Sequence, residues 1–181
     1  KVYAVVEESA ASGAYYIAVA ADEIYVDKAS IVGSIGVLMD GFGFTGTMDK
    51  LGVERRMKTA GANKGMGDPF SPETPEQNAI WQSMLTDIHK QFVDAVKLGR
   101  GKKIDDVKNP DVFSGRVYTG DQGKQVGLVD EFGSVYSVSR DVFKAPEMVN
   151  YTPKDDFSTS FGRQFGMQMK SAADTLTLPS W

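Results

Sequence analysis

The chain has 181 residues, 41% of them hydrophobic, with 20 basic and 24 acidic side chains and a net charge of −4. That is enough for one globular domain with a sizeable core, and it lacks the basic excess with which nucleic-acid binders mark one face. Having no cysteine excludes disulfides and thiolate chemistry, a single histidine (His89) cannot build a histidine-rich metal centre, and no apolar run approaches the roughly 18 residues of a membrane span.

Residues 1–7, rich in valine, read as a buried strand already under way, so residues upstream of Lys1 are expected. Residues 12–21 are apolar on every side and predict a helix buried all round. Residues 23–27 alternate like a strand, and 31–39, with Gly33 and Gly36, read as a tightly approached strand or bend. A glycine-rich loop follows, then a short helix over 47–51 stopped by Gly52. Residues 53–59 alternate again and predict another strand, and 60–72 form a Gly- and Pro-rich loop of the kind that carries active-site residues.

The longest helical pattern is 74–98, with Thr74 as cap and Pro75 in the first turn. Its stripe of Ile80, Met84, Ile88, Phe92 and Val96 reads as core packing. Beyond it come a strand and turn over 113–120, a short helix over 120–125, a strand over 127–130 and an amphipathic helix over 134–143. From 146 onward strong periodicity is lost, although Phe157, Phe161, Phe165 and Met169 recur every four residues and suggest a helix packed on the domain or a partner. The domain thus covers 1–145, with 146–181 as a C-terminal extension, and the alternation of strands and helices favours an α/β class.

Ser12 begins the first helix, where free backbone N–H groups favour developing negative charge, and Ala10, Ala11, Gly13 and Ala14 leave room for a substrate backbone. The Gly13 N–H suits an oxyanion. A serine needs a base to take its proton. His89 is one candidate, although its place between Ile88 and Lys90 reads as solvated; the sequence also holds no Gly-x-Ser-x-Gly and no Ser-x-x-Lys. Lys64, in the glycine-rich loop, is the other, since a lysine acts as base when burial favours its neutral amine. On local chemistry alone Ser12 is equally readable as a helix cap, and Lys64 as an exposed loop lysine.

Several segments taken together resemble the signal peptide peptidase A / SohB family of serine peptidases. They are residues 5–18 around Ser12, 29–37 with Gly33-Ser34-Ile35-Gly36, Gly61-Ala62-Asn63-Lys64 with Asp68-Pro69-Phe70, 115–120 and 127–130. The resemblance implies a ClpP/crotonase-like superhelix of ββα units and a Ser/Lys dyad on Ser12 and Lys64, with Ser34 orienting the lysine. It implies no metal and no organic cofactor. It further implies extended apolar peptide substrates such as signal-peptide remnants, and homo-oligomers in which one chain or two supply the dyad. The full-length parent would be associated with the bacterial inner membrane, the present chain being itself soluble. With Ser12 as nucleophile, small and apolar residues of 31–38, Ile31, Gly33, Ile35 and Val37 among them, are expected to line substrate pockets. The family's Ser-Pro-Gly-Gly-like segment, which gives the second oxyanion donor, does not precede the first strand here and is expected upstream or from another chain. Two other readings fit the same fold: a crotonase-like enzyme acting on acyl-CoA without a nucleophilic serine, and a non-catalytic scaffold subunit.

Overall fold

The computed structural model describes residues 1–152. Residues 1–146 form one compact unit, and residues 147–152 are the described part of a second. The phenylalanine and methionine repeat at 157–169 lies outside the described residues.

The unit is mixed α/β, with two three-stranded sheets. In one, β1 (Tyr3–Val6), β3 (Glu23–Val26) and β6 (Glu131–Phe132) are parallel in the order β1-β3-β6. In the other, β2 (Ser9–Ala11) and β4 (Ile31–Gly33) are parallel, and β5 (Val117–Thr119) joins β4 antiparallel. Helix α1 (Gly13–Ala18) follows β2 directly. The core between these elements holds Tyr15, Ile24, Val26, Val32, Ile35, Val96, Val112 and Leu128, all fully buried.

A buried polar knot closes the core. Arg100 clamps Asp130 with two hydrogen bonds, Nη1 to Oδ2 at 2.7 Å and Nη2 to Oδ1 at 3.0 Å, while its Nε donates to the Gly127 carbonyl at 2.9 Å. Asp130 also accepts the Ile24 N–H at 2.8 Å and the Lys103 ammonium. Burial works to raise the Asp130 pKa, but the bonds from Arg100, Lys103 and the Ile24 amide outweigh it and hold the carboxyl down at about 2. Tyr15 donates its hydroxyl to the Leu128 carbonyl at 2.6 Å, and burial pushes that phenol well above its usual range.

The long helix α3 (Pro75–Arg100) starts as the sequence predicts: Thr74 and Gln77 form a capping box, with Pro75 in the first turn. Its 26 residues span about 39 Å at 1.5 Å per residue, more than the core beneath can cover. Phe92 and Val96 are therefore buried, while Met84 and Ile88 are exposed, so only the C-terminal half of the apolar stripe is core. Likewise α1 is not buried all round: Tyr15 and Ala18 point inward, but Ile17 is 78% exposed, because one side of this short helix faces outward. The short helix α2 (Thr45–Leu51) ends on Gly52, whose φ of 66° is the left-handed turn that glycine adopts freely.

Three further elements differ from expectation. Residues 53–59 form no strand; the alternation there has no sheet to bury its apolar side, and Val53 is 54% exposed. The last strand begins at Glu131, not 127, although Asp130 N–H already bonds the Ile24 carbonyl. The 134–143 helix is a single turn, α5 (Val135–Ser137), that widens into a π-turn over Val138–Val142. Thr119 heads α4 (Gly120–Gln125) through a capping box with Gln122.

Candidate active site

Ser12 occupies the sharp turn between β2 and α1. The ladder between β2 and β4 runs one bond past the strand, Ser12 N–H donating to the Gly33 carbonyl at 2.9 Å, and the chain then reverses into the helix, where Tyr16 N–H bonds the Ser12 carbonyl. The reversal holds Ser12 at φ 53° and ψ −122°, a conformation that non-glycine residues rarely adopt and that costs of order 1–3 kcal/mol. A strained strand-to-helix turn of this kind raises a serine hydroxyl clear of the sheet. The glycines of the usual elbow signature are replaced by Ala10 and Ala14, small enough for the same turn. The Ser12 side chain makes no capping bond to α1, and among the described residues its hydroxyl has no hydrogen-bond partner.

The hydroxyl opens on a cavity of about 560 Å³. Ser12, Gly13 and Tyr16 form one wall; Ser34, Gly36, Val37 and Leu38 another; Ile88 and Phe92 of α3, with Ser114 and Gly115, complete it. Of the sequence-derived candidates, Ser12, Gly13, Ser34 and Val37 share this cavity, whereas Ile31, Gly33 and Ile35 do not line it. Ile35 is fully buried in the core, while its neighbours Ser34 and Gly36 line the cavity. Ser34 is itself at φ 53°, held by its N–H to the Arg116 carbonyl at 2.8 Å. Glycine is required at position 36, where a Cβ would come within 2.9 Å of the Gly115 Cα. Tyr16, Ile88 and Phe92 were not singled out as cavity residues by the sequence. The helical stripe containing Ile88 and Phe92 was the available signal, but it reads equally as core.

Lys64 is exposed and does not line the cavity. It stands in a series of turns on an arm over residues 38–72, with Lys64 N–H bonded to the Gly61 carbonyl at 3.1 Å and Met66 N–H to the Asn63 carbonyl at 3.1 Å. Asp68 ties the base of this loop, accepting from the Ser71 hydroxyl at 2.6 Å and from Arg55 at 3.3 Å, and these bonds keep its carboxyl below the usual range. Phe44 N–H bonds the Pro69 carbonyl and its ring stacks on Phe70 at 5.5 Å. His89 is half-buried, with Nε2 3.2 Å from the Ile35 carbonyl oxygen.

The model of peptidase family S49 matches residues 1–147. The chain belongs to this family. Similar proteins include one named "Na(+)/H(+) antiporter NhaA" in Brucella melitensis, 47% identical over 79% of this chain and 19% of that one. "Putative protease MJ0651" of Methanocaldococcus jannaschii is 41% identical over 71% of this chain and 41% of its own length, and "Putative signal peptide peptidase SppA" of Enterococcus faecium 35% identical over 73% and 38%. The chain thus spans less than half the length of each of these relatives. The antiporter name describes a whole protein of which the match takes 19%. No helix among the described residues is long and apolar enough to cross a membrane.

Proposed function

We propose that this chain is the catalytic part of a serine endopeptidase in which Ser12 is the nucleophile and Lys64 the base, on a ClpP/crotonase-like superhelix. The observation that carries the reading is the strained Ser12 turn, which leaves an uncapped hydroxyl at the mouth of an apolar cavity. Family membership and protease-named relatives support the same chemistry.

The neutral Lys64 amine takes the Ser12 proton, and Ser12 Oγ attacks the peptide carbonyl. Gly13 N–H donates to the resulting oxyanion, and a second donor comes from beyond these residues. Lys64 returns the proton to the leaving amine as the acyl-enzyme forms, then activates water to release it. Ser34 steers the lysine amine. Tyr16, Val37, Leu38, Ile88 and Phe92 give the cavity its apolar character, which suits extended peptides with apolar side chains, such as signal-peptide remnants.

Lys64 must be buried to act as a base. In the single chain it is exposed and outside the cavity, so the reading has it reach the Ser12 of a neighbouring copy in a homo-oligomer. The full-length parent would bring this assembly to a membrane. The test is peptide cleavage by Ser12→Ala, by Lys64→Ala and by the two variants assembled together. Each alone is inactive; the mixture regains activity, since some interfaces then pair an intact Ser12 with an intact Lys64. Full activity of Lys64→Ala sinks the dyad, and an inactive mixture with wild-type assembly sinks the shared site.

A further inference from the structure

The segment 34–38 does two jobs: it forms one wall of the Ser12 cavity, and it is the root of the arm that carries Lys64. Its first half is tied by Ser34 N–H to the Arg116 carbonyl, beside β5, and by Gly36 N–H to the Ser34 carbonyl within the segment. After that the backbone runs free: among the described residues, no backbone hydrogen bond involves positions 37–43 until Phe44 N–H meets the Pro69 carbonyl. The tie that stands at the changeover comes from a side chain. His89 Nε2 lies 3.2 Å from the Ile35 carbonyl oxygen. A carbonyl oxygen only accepts, so Nε2 carries the proton and donates.

We infer that His89 is a positioning residue that clamps the root of the lysine arm and fixes the cavity wall between Ser34 and Val37. His89 touches no reacting atom. Its neighbours on α3, Ile88 and Phe92, line the same cavity, so this bond ties helix, cavity wall and arm root together beside the buried Ile35 side chain. Ser34 keeps its own bond to Arg116 when the clamp is lost, so the damage falls on Gly36 to Leu38, which line the cavity, more than on the chemical step. The lone histidine therefore has work that is neither base chemistry nor idle solvation.

The inference rests on the peptidase reading for its kinetic consequence, and two readouts separate the two claims. In the full-length protein, His89→Ala is compared with His89→Gln, whose amide N–H sits at a similar reach to Nε2. With an internally quenched peptide rich in alanine and leucine, His89→Ala raises KM about tenfold, the loss of roughly one hydrogen bond, and His89→Gln restores it with kcat near wild type. Hydrogen exchange of the Gly36 amide, which bonds the Ser34 carbonyl beside the clamp, speeds up in His89→Ala and not in His89→Gln, whether or not the protein cleaves peptides. A protein that never cleaves but shows this exchange pattern keeps the clamp and loses the peptidase reading. Wild-type exchange and KM in His89→Ala, or a His89→Gln that behaves like His89→Ala, overturns the clamp. A His89→Gln variant whose kcat collapses makes His89 a base and overturns it equally.

Discussion

Ser12 and Lys64 stand in regions of opposite construction. Ser12 sits on a turn that everything around it holds down: β2 and β4 pair beneath it, Tyr15 anchors α1 to Leu128, and the Arg100–Asp130 knot closes the core. Lys64 sits on an arm with much of its apolar surface in the open; Leu38, Phe42 and Leu51 are all more than 70% exposed. A strained backbone persists only where its surroundings over-determine it, so the strained Ser12 turn, the proposed nucleophile, belongs in the rigid region. In the proposed homo-oligomer a neighbouring copy would cover this apolar surface.

This contrast makes the two regions separable by mutation. The largest effect is expected from Ser12→Gly and Ser12→Ala, which remove cleavage by at least about a thousandfold. Ser12→Gly should also raise stability, by about 1 kcal/mol in denaturant unfolding, because glycine adopts φ 53° without strain. A Ser12→Gly that is less stable than wild type would mean the turn is not strained. Lys64→Ala should lose activity to a similar degree while its unfolding midpoint stays put, because the exposed side chain supports nothing in the core.

Arg100→Met attacks the rigid region from below. It leaves Asp130 charged and half-deserted, and should cost about 3 kcal/mol of stability. The same knot sets an acid limit. The Asp130 carboxyl has a folded pKa of about 2, below its unfolded value of about 3.9, so its contribution is present above pH 4. It is lost as pH falls from about 4 towards 2, and Arg100→Met should flatten that part of the stability–pH curve. Gly36→Ala should cost about 1–3 kcal/mol and open the cleft, since its Cβ must push Gly115 away. Phe44→Ala, on the arm, should change monomer stability by less than about 1 kcal/mol, although its ring stacks on Phe70.

Local signals in the sequence are legible where one residue type has one physical job. Thr74 with Pro75 and Gly52 each marked a helix end, and each sits there. Gly33 and Gly36 marked a close approach, and the 115–118 segment lies against them. Patterns that depend on a partner were less legible. The alternation of 53–59 has no sheet to join, and the stripe on α3 outruns the core it packs on. At the site, small residues around Ser12 pointed to room for a substrate backbone, but the strain of the Ser12 turn is a property of β2 pairing with β4, which no local pattern contains. The same holds for His89, whose bond to Ile35 joins residues 54 positions apart.

The most direct test of the Ser12–Lys64 account is covalent labelling by a fluorophosphonate, read by mass spectrometry of the assembled protein. The account predicts one adduct, on Ser12, formed at least about 100-fold more slowly in Lys64→Ala because the serine then has no base. An adduct on another residue, or labelling of Ser12 at the wild-type rate in Lys64→Ala, would contradict it.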